Sequence, residues 1–390
     1  MRDLSAAAAA VSRRRAPGLA ALAVAVALSG VALPGSAAAA AGCKAPEPVC
    51  AARAGVFRVS AFDPHGSAVR ISADLLVTNR HVVADETEVQ VHLADGGTVE
   101  GAVVPTSFAG DLVLVRAKLP EGPVLAQGGD TGGDLYTVAQ NIATRKTQVF
   151  PKGRRILAPD ADKPYARLHH TAYSQPGTSG GAVVTAKGAL VGIATSGGQG
   201  RFEAVPAAQI AALEAASGPD HATRSAAIGK AYRECTVLVE AAMRSNDVVP
   251  ESIAADISRH CEASGNRQLY DLAAQVLGRS RMFDQSAAFF EKALDKDPNA
   301  VNSRIGYVVT LSFARRHADA VPHVRWLLKV VPTATAVQRF AVQVGKLAGD
   351  KALTEKGLAL IAKHNPAQLE AAKRFVDAPA PSQPRRGSGR

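Results

Sequence analysis

At 390 residues the chain is long enough for about two domains, and with 47% hydrophobic and 20% charged residues it has a globular composition. Its formal charge of +11 is concentrated at the two ends, where an arginine-rich start and Arg385, Arg386 and Arg390 together leave about +5 for the body. A body that mildly basic, behind an export leader, argues against a nucleic-acid partner.

The leader occupies residues 1–41. Arg13, Arg14 and Arg15 precede an Ala/Leu/Val stretch from Leu19 to Leu28, and small residues run on to Ala41. That pattern is a secretory signal peptide. Ser29, Gly30 and Pro34 interrupt it, well short of the ~20 apolar residues that a membrane span needs. The expected location is therefore periplasmic or secreted.

Residues 42–54 form an N-terminal segment that holds Cys43 and Cys50; Cys235 and Cys261 lie far downstream. Four cysteines allow three pairings. We expect the local ones, Cys43 with Cys50 and Cys235 with Cys261, because each closes a short loop. There is no Cys-x-x-Cys and no histidine at ligand spacing, so neither a metal nor an organic cofactor is expected. The string "AAGC" at Cys43 resembles a bacterial lipid-attachment box, with Ala40 where a larger aliphatic is preferred. A membrane contact is expected only if Cys43 is lipidated.

From Val56 to about Phe202 short β-rich runs alternate with turn residues: "VFRVSAF", "AVRISADLLVTN", "EVQVHL", "TVEGAVV", "DLVLVRA", "DLYTVAQ", "ARLHHTA", "GAVVT" and "ALVGIAT". Their spacing suits an antiparallel barrel or sandwich. The block closes at "AVPAAQIAALEAA", where Ala207, Ile210 and Leu213 share one helical face. Residues 217–224 are a polar linker, and 225–377 read as helix. In that half Pro298, Pro332 and Pro366 fall 34 residues apart, and the columns Ser286/Ala320/Thr354, Phe290/Val324/Leu358 and Ala293/Leu327/Ile361 keep their character. This period and these columns resemble tetratricopeptide repeats, helical hairpins that bury their apolar faces by stacking. The Cys235/Cys261 helix pair would cap the stack, Trp326 would lie in its core, and 378–390 form a disordered tail.

Three residues carry the chemistry. Ser179 stands in "PGTSGGAVV", His81 follows a strand-like run in "VTNRHVV", and Asp111 heads "DLVLVRA". A serine hydroxyl needs a base within hydrogen-bond reach, and the base needs a third group that fixes its tautomer and stabilises the imidazolium. The order His, Asp, Ser on an all-β block is that of chymotrypsin-like double barrels. With "FEAVPAAQI" closing the second barrel, residues 55–216 resemble a trypsin-fold serine protease of the bacterial HtrA-like type.

The resemblance implies an all-β chymotrypsin-like double barrel followed by an all-α repeat domain, and a serine endopeptidase acting on protein or peptide substrates. Ser179 would be the nucleophile, His81 the general base and Asp111 the orienting carboxylate, with the N–H groups of Gly177 and Ser179 as the oxyanion hole. Tyr173 and Thr195 would border the primary pocket. Tyr173 stands where trypsins hold an acid, so cleavage after Lys or Arg is not expected. Thr178 replaces the aspartate that pairs with a new N-terminus in digestive proteases. A helical array replaces the usual PDZ module and would recruit a protein partner or substrate. A catalytically idle scaffold is the alternative. His169 and His170 are expected to be structural, one of them facing solvent, and "RKTQVFPKGRR" a solvated hairpin.

Overall fold

The computed structural model describes residues 42–245 and 247–379; the leader at 1–41 and residues 380–390 of the expected tail lie outside the described residues. A short helix α1 (Glu47–Ala51) precedes the barrels. Strands β1 (Val56–Ser60), β2 (Gly66–Arg70), β3 (Leu75–Thr78), β4 (Glu88–His92), β5 (Thr98–Val104) and β6 (Val113–Ala117) close an antiparallel barrel in the order β1-β2-β3-β6-β5-β4. Alternation does the sorting: in β4 Val89 and Val91 are buried while Glu88 and Gln90 are exposed. "AVRISADLLVTN" holds two strands because Ile71 and Ser72 N–H both donate to the Leu75 carbonyl, turning the chain at Ser72–Asp74. One turn of helix, α2 (Arg80–Val83), follows β3.

The second barrel comprises β7 (Asp134–Asn141), β8 (Lys146–Val149), β9 (Gly153–Leu157), β10 (Leu168–His170), β11 (Ala182–Thr185), β12 (Leu190–Gly198) and β13 (Arg201–Pro206). Pairing of β11 with β7 closes the ring β7-β11-β12-β13-β10-β9, and β8 pairs with the end of β7, Val138–Asn141, on the edge that β9 shares. The basic stretch 145–155 is therefore only half the expected hairpin. Its first part is β8, while β9 pairs with both β7 and β10 and is structural. Between the barrels Val69, Val77 and Leu114 meet Tyr136, Val138 and Val184, sealed by Ile210 and Leu213 of α3 (Ile210–Ala215).

Residues 217–224 are not a free linker. Ser217 bridges to Thr106, Gly218 N–H donates to the Pro105 carbonyl, and Ser107 Oγ lies 2.8 Å from His221 Nδ1. Helix α4 (Ala222–Ser245) starts at once and is tied to α5 (Glu251–Ser264) by the Cys235–Cys261 disulfide. Cys43 is bonded to Cys50, so its sulfur is engaged within the chain rather than free for a thioether.

Then come three helical hairpins: α6 (Arg267–Arg279) with α7 (Phe283–Lys296), α8 (Val301–Phe313) with α9 (His317–Val330), and α10 (Thr335–Ala348) with α11 (Lys351–His364), closed by α12 (Leu369–Asp377). First helices begin at 267, 301 and 335 and second helices at 283, 317 and 351, a spacing of 34 throughout. The column residues are buried, apart from the half-buried Leu358. Trp326 is partly buried under the Arg304 guanidinium, 4.2 Å from its ring centroid.

Each hairpin turns in the same way. Arg281, Arg315 and Gly349 take left-handed φ values of 62°, 60° and 76°, and Met282, Arg316 and Asp350 N–H donate back to Leu277, Leu311 and Gly345 carbonyls. These are Schellman ends, where glycine is the unstrained residue. The exposed Arg315 bears that strain with a side chain. Arg315→Gly is expected to stabilise the chain by about 0.5–1 kcal/mol once the added freedom of the unfolded glycine is discounted. A urea midpoint that falls would refute this account of the turn.

Candidate active site

His81 sits on α2 and is held from below by Val82 and Val83, both fully buried. Asn79, at the start of that turn, sends Nδ2 to the Asp111 carbonyl at 2.9 Å, joining the β3–α2 corner to the head of β6. His81 Nδ1 then lies 2.8 Å from Asp111 Oδ2, and His81 N–H donates to Oδ1 at 3.1 Å. The carboxylate side chain is 1% exposed and the imidazole 10%. Burial alone would raise the Asp111 pKa. His81, Arg167 (3.9 Å away) and the Thr195 hydroxyl outweigh it and lower the value to about 2. The carboxyl is thus ionised at neutral pH.

Two tight turns that share Thr178 shape the serine loop, and Ser179 lies in the second. Thr178 N–H donates to Gln175 O, with Pro176 second and Gly177 third at φ +90°; Gly181 N–H donates to Thr178 O, with Gly180 third at φ +82°. A third residue at positive φ is what a type II turn demands, and proline second pre-sets it. At Gly180 a Cβ would come within 1.9 Å of the Ser67 carbonyl. Among the described residues neither Gly177 N–H nor Ser179 N–H donates to a protein acceptor. Thr178 Oγ1 donates to Gln175 O at 2.7 Å, so it closes its own turn.

Ser67 of β2 braces this loop from the first barrel: its Oγ donates to Gly177 O at 2.9 Å and its N–H to Ser179 O at 2.7 Å. Nothing in the local sequence marks Ser67. Thr195 touches both Asp111 and Ser179. Its hydroxyl donates to Asp111 Oδ2 at 2.7 Å, while its carbonyl accepts from Ser179 Oγ at 3.3 Å. Strand β12 therefore brings Asp111 and Ser179 to one residue, and among the described residues Ser179 Oγ makes no hydrogen bond to His81.

Tyr173 is 43% exposed and rests edge-on against Phe202, 5.8 Å between centroids, with Phe150 on its other side. Neither His169 nor His170 faces solvent, against expectation: they are 3% and 0% exposed. The outward residue is covered by the helical half, His169 Nε2 lying 2.9 Å from Asp297 Oδ2 in the α7–α8 connection. Burial, then the neighbouring His169, lower the His170 pKa to about 4, which leaves it neutral.

The same cover continues as a buried charge network. Glu203 of β13 takes Arg167 Nη1 at 3.0 Å, Ser196 Oγ at 2.9 Å and Arg267 of α6. Arg80, buried beside His81, reaches Ser225 of α4. Burial lowers its pKa to about 10, and Asp111 limits the fall.

Residues 66–193 match the family model of the trypsin-like peptidase domain. The chain carries a trypsin-like peptidase domain. Curated relatives of this peptidase domain include a probable periplasmic serine endoprotease DegP-like from Pseudomonas fluorescens, 29% identical over 143 residues that span 33% of this chain and 28% of the relative. Another is a probable serine protease do-like from Buchnera aphidicola, 32% identical over 147 residues, 35% of this chain and 30% of the relative. The chain thus spans about three tenths of the length of the curated relatives it matches. Among solved structures, the HtrA-type protease AlgW with tripeptide is 26% identical, with TM-score 0.38, covering 43% of this chain and 61% of that one. The serine endoprotease from Yersinia pestis is 23% identical, with TM-score 0.37, covering 43% and 64%.

Proposed function

We propose that the protein is a serine endopeptidase that cleaves protein substrates through an acyl-enzyme, with Ser179 as nucleophile, His81 as general base and then acid, and Asp111 as the orienting carboxylate. The observation that carries this reading is the 2.8 Å bond from His81 Nδ1 to a buried, ionised Asp111, on a carboxylate that Thr195 links to the serine turn. A carboxylate so placed holds the proton on Nδ1 and leaves Nε2 basic for the serine. Gly177 and Ser179 N–H, both without a protein acceptor among the described residues, suit a developing oxyanion.

Tyr173 against Phe202 gives the site an aromatic, acid-free border, which favours a small or aliphatic side chain before the scissile bond over Lys or Arg. The relatives described as periplasmic, with the leader read from residues 1–41, favour a periplasmic or secreted location.

The helical half offers a place for the rest of the substrate or for a partner. A cleft of about 1000 Å³ lies between the β12–β13 hairpin at Gly197–Arg201 and helices α6 and α8, with Phe283 and the 70% exposed Phe313 stacked at its edge. A 34-residue tetratricopeptide-like array commonly presents such a concave face.

The test uses casein and a fluorophosphonate probe on the full chain beside Ser179→Ala. Labelling and cleavage by the parent, both lost in the variant, are expected. A folded parent that neither labels nor cleaves would favour the idle scaffold instead.

A further inference from the structure

The Asp111 carboxylate takes four hydrogen bonds, and one of them comes from outside the barrels. Oδ2 accepts from His81 Nδ1 and Thr195 Oγ1; Oδ1 accepts from His81 N–H and, at 3.1 Å, from Asn266 Nδ2. Asn266 lies in the two-residue connection between α5 and α6, is 5% exposed, and stands 155 residues beyond Asp111.

Its amide cannot be turned round. Asn266 Oδ1 already accepts from Gln268 and Leu269 N–H at 2.9 and 3.3 Å as the N-cap of α6, and only the NH2 end can donate to a carboxylate. The next residue, Arg267, is bonded to Glu203 of β13, which fixes the start of α6 against the second barrel. One side chain therefore ends the repeat array on one side and completes the carboxylate's donor set on the other.

We propose that Asn266 is a positioning residue of the hydrolytic site, holding Asp111 in the plane that orients His81, so that the helical half is part of the catalytic apparatus and not only a recruiting surface. This rests on the reading of His81, Asp111 and Ser179 as a triad. Without Asn266, Oδ1 keeps only the His81 main-chain N–H, and a buried carboxylate short of a donor is freer to rotate, which loosens the grip on His81 Nδ1.

The charged and titratable groups around Asp111 are His81 and Arg80 from α2, Arg167 ahead of β10, Arg267 from α6 and Tyr232 from α4, with Lys296 of α7 and Tyr165 lining the same small cavity. None of them is a carboxyl group. A carboxylate at position 266 would introduce the first like charge in direct contact with Asp111, and a like charge raises a carboxyl pKa.

Two full-length variants separate positioning from capping. Asn266→Ser and Asn266→Asp both keep an oxygen for the α6 N–H groups, while neither keeps the amide that reaches Asp111. The rate of fluorophosphonate labelling is measured from pH 4 to 9, with KM for casein and the melting temperature alongside. Asn266→Ser is expected to label about tenfold more slowly, the worth of one hydrogen bond to a charge. Asn266→Asp is expected to label about 100-fold more slowly, with its acid limb moved to higher pH because a second carboxylate favours the protonated form of the coupled His81–Asp111 pair. KM should hold in both.

Either variant labelling at the parental rate with the parental pH profile would overturn the proposal, as would a loss that merely tracks the folded fraction. If Asn266→Asp does not fold, the uncharged Asn266→Ser decides alone. Labelling that survives in Ser179→Ala would sink the triad reading itself, whereas an inert Ser179→Ala beside unaffected Asn266 variants would sink only this inference.

Discussion

Replacing Ser179 by alanine is expected to lower kcat by about 10⁵- to 10⁶-fold while leaving the melting temperature within a few degrees. On the proposed triad the rate effect is large because Ser179 would form the acyl bond, while the neighbouring Thr178 hydroxyl is committed to Gln175 O. The fold effect is small because the turn is held by other atoms: the Gln175–Thr178 and Thr178–Gly181 bonds and Ser67 from the first barrel use main chain and neighbouring hydroxyls. Ser179 Oγ contributes one 3.3 Å bond to Thr195 O. Single-turnover assays with the purified variant check the rate, and calorimetry checks the fold. A variant within tenfold of the parent would move the chemistry away from Ser179.

Glu203→Ala is expected to destabilise the chain by about 3–5 kcal/mol, a large share of the ~5–15 kcal/mol that keeps a domain folded. Two buried guanidinium groups, Arg167 and Arg267, converge on this carboxylate from the barrel and from α6. Removing it leaves both charges without their shared partner in a site where side chains are 4% exposed. The pH dependence follows from the same group. Burial raises the Glu203 pKa, but Arg267, His169 and Arg167 more than reverse this and hold it well below the usual carboxylate range.

A carboxyl depressed in the folded state contributes stability that is present above its unfolded pKa, near 4, and is lost as pH falls through the folded value. Asp111, lowered to about 2, behaves likewise and contributes about 2 kcal/mol. The parent should therefore lose stability between about pH 4 and 2, and Glu203→Ala should start lower at pH 7 yet lose less over that window. Urea titrations at pH 7, 4 and 3 measure both. An equal slope in the two proteins would show that Glu203 does not carry the acid sensitivity.

Strand alternation and the 34-residue column pattern made most of the architecture legible before any coordinates, and the spacing of His81, Asp111 and Ser179 marked where the site would lie. Strand β9 escaped because its side chains serve as barrel staves within a basic, proline-bearing stretch, where charge density reads as solvent. The error at His169 has another cause. Period-two alternation says that neighbouring strand residues take opposite faces, but it does not say whether a second domain covers the outer one. Only the family resemblance points to Thr195, and the direction of its hydroxyl depends on barrel curvature. Asn266 and Arg267 read locally as a helix start and nothing more, since their reach to Asp111 and Glu203 exists only once the two halves have docked.

That docking sets an order of assembly. All the strands that shape the serine turn lie between Val56 and Pro206, so both barrels can close from the first half of the chain. The final donor to Asp111 arrives 155 residues later in the sequence. Contacts so distant along the chain form late, and a polypeptide made from its N-terminus holds a shaped but unfinished site until α6 settles. On the proposed role of Asn266, full reactivity is reached only once α6 has settled, and the young chain would react about tenfold more slowly until then.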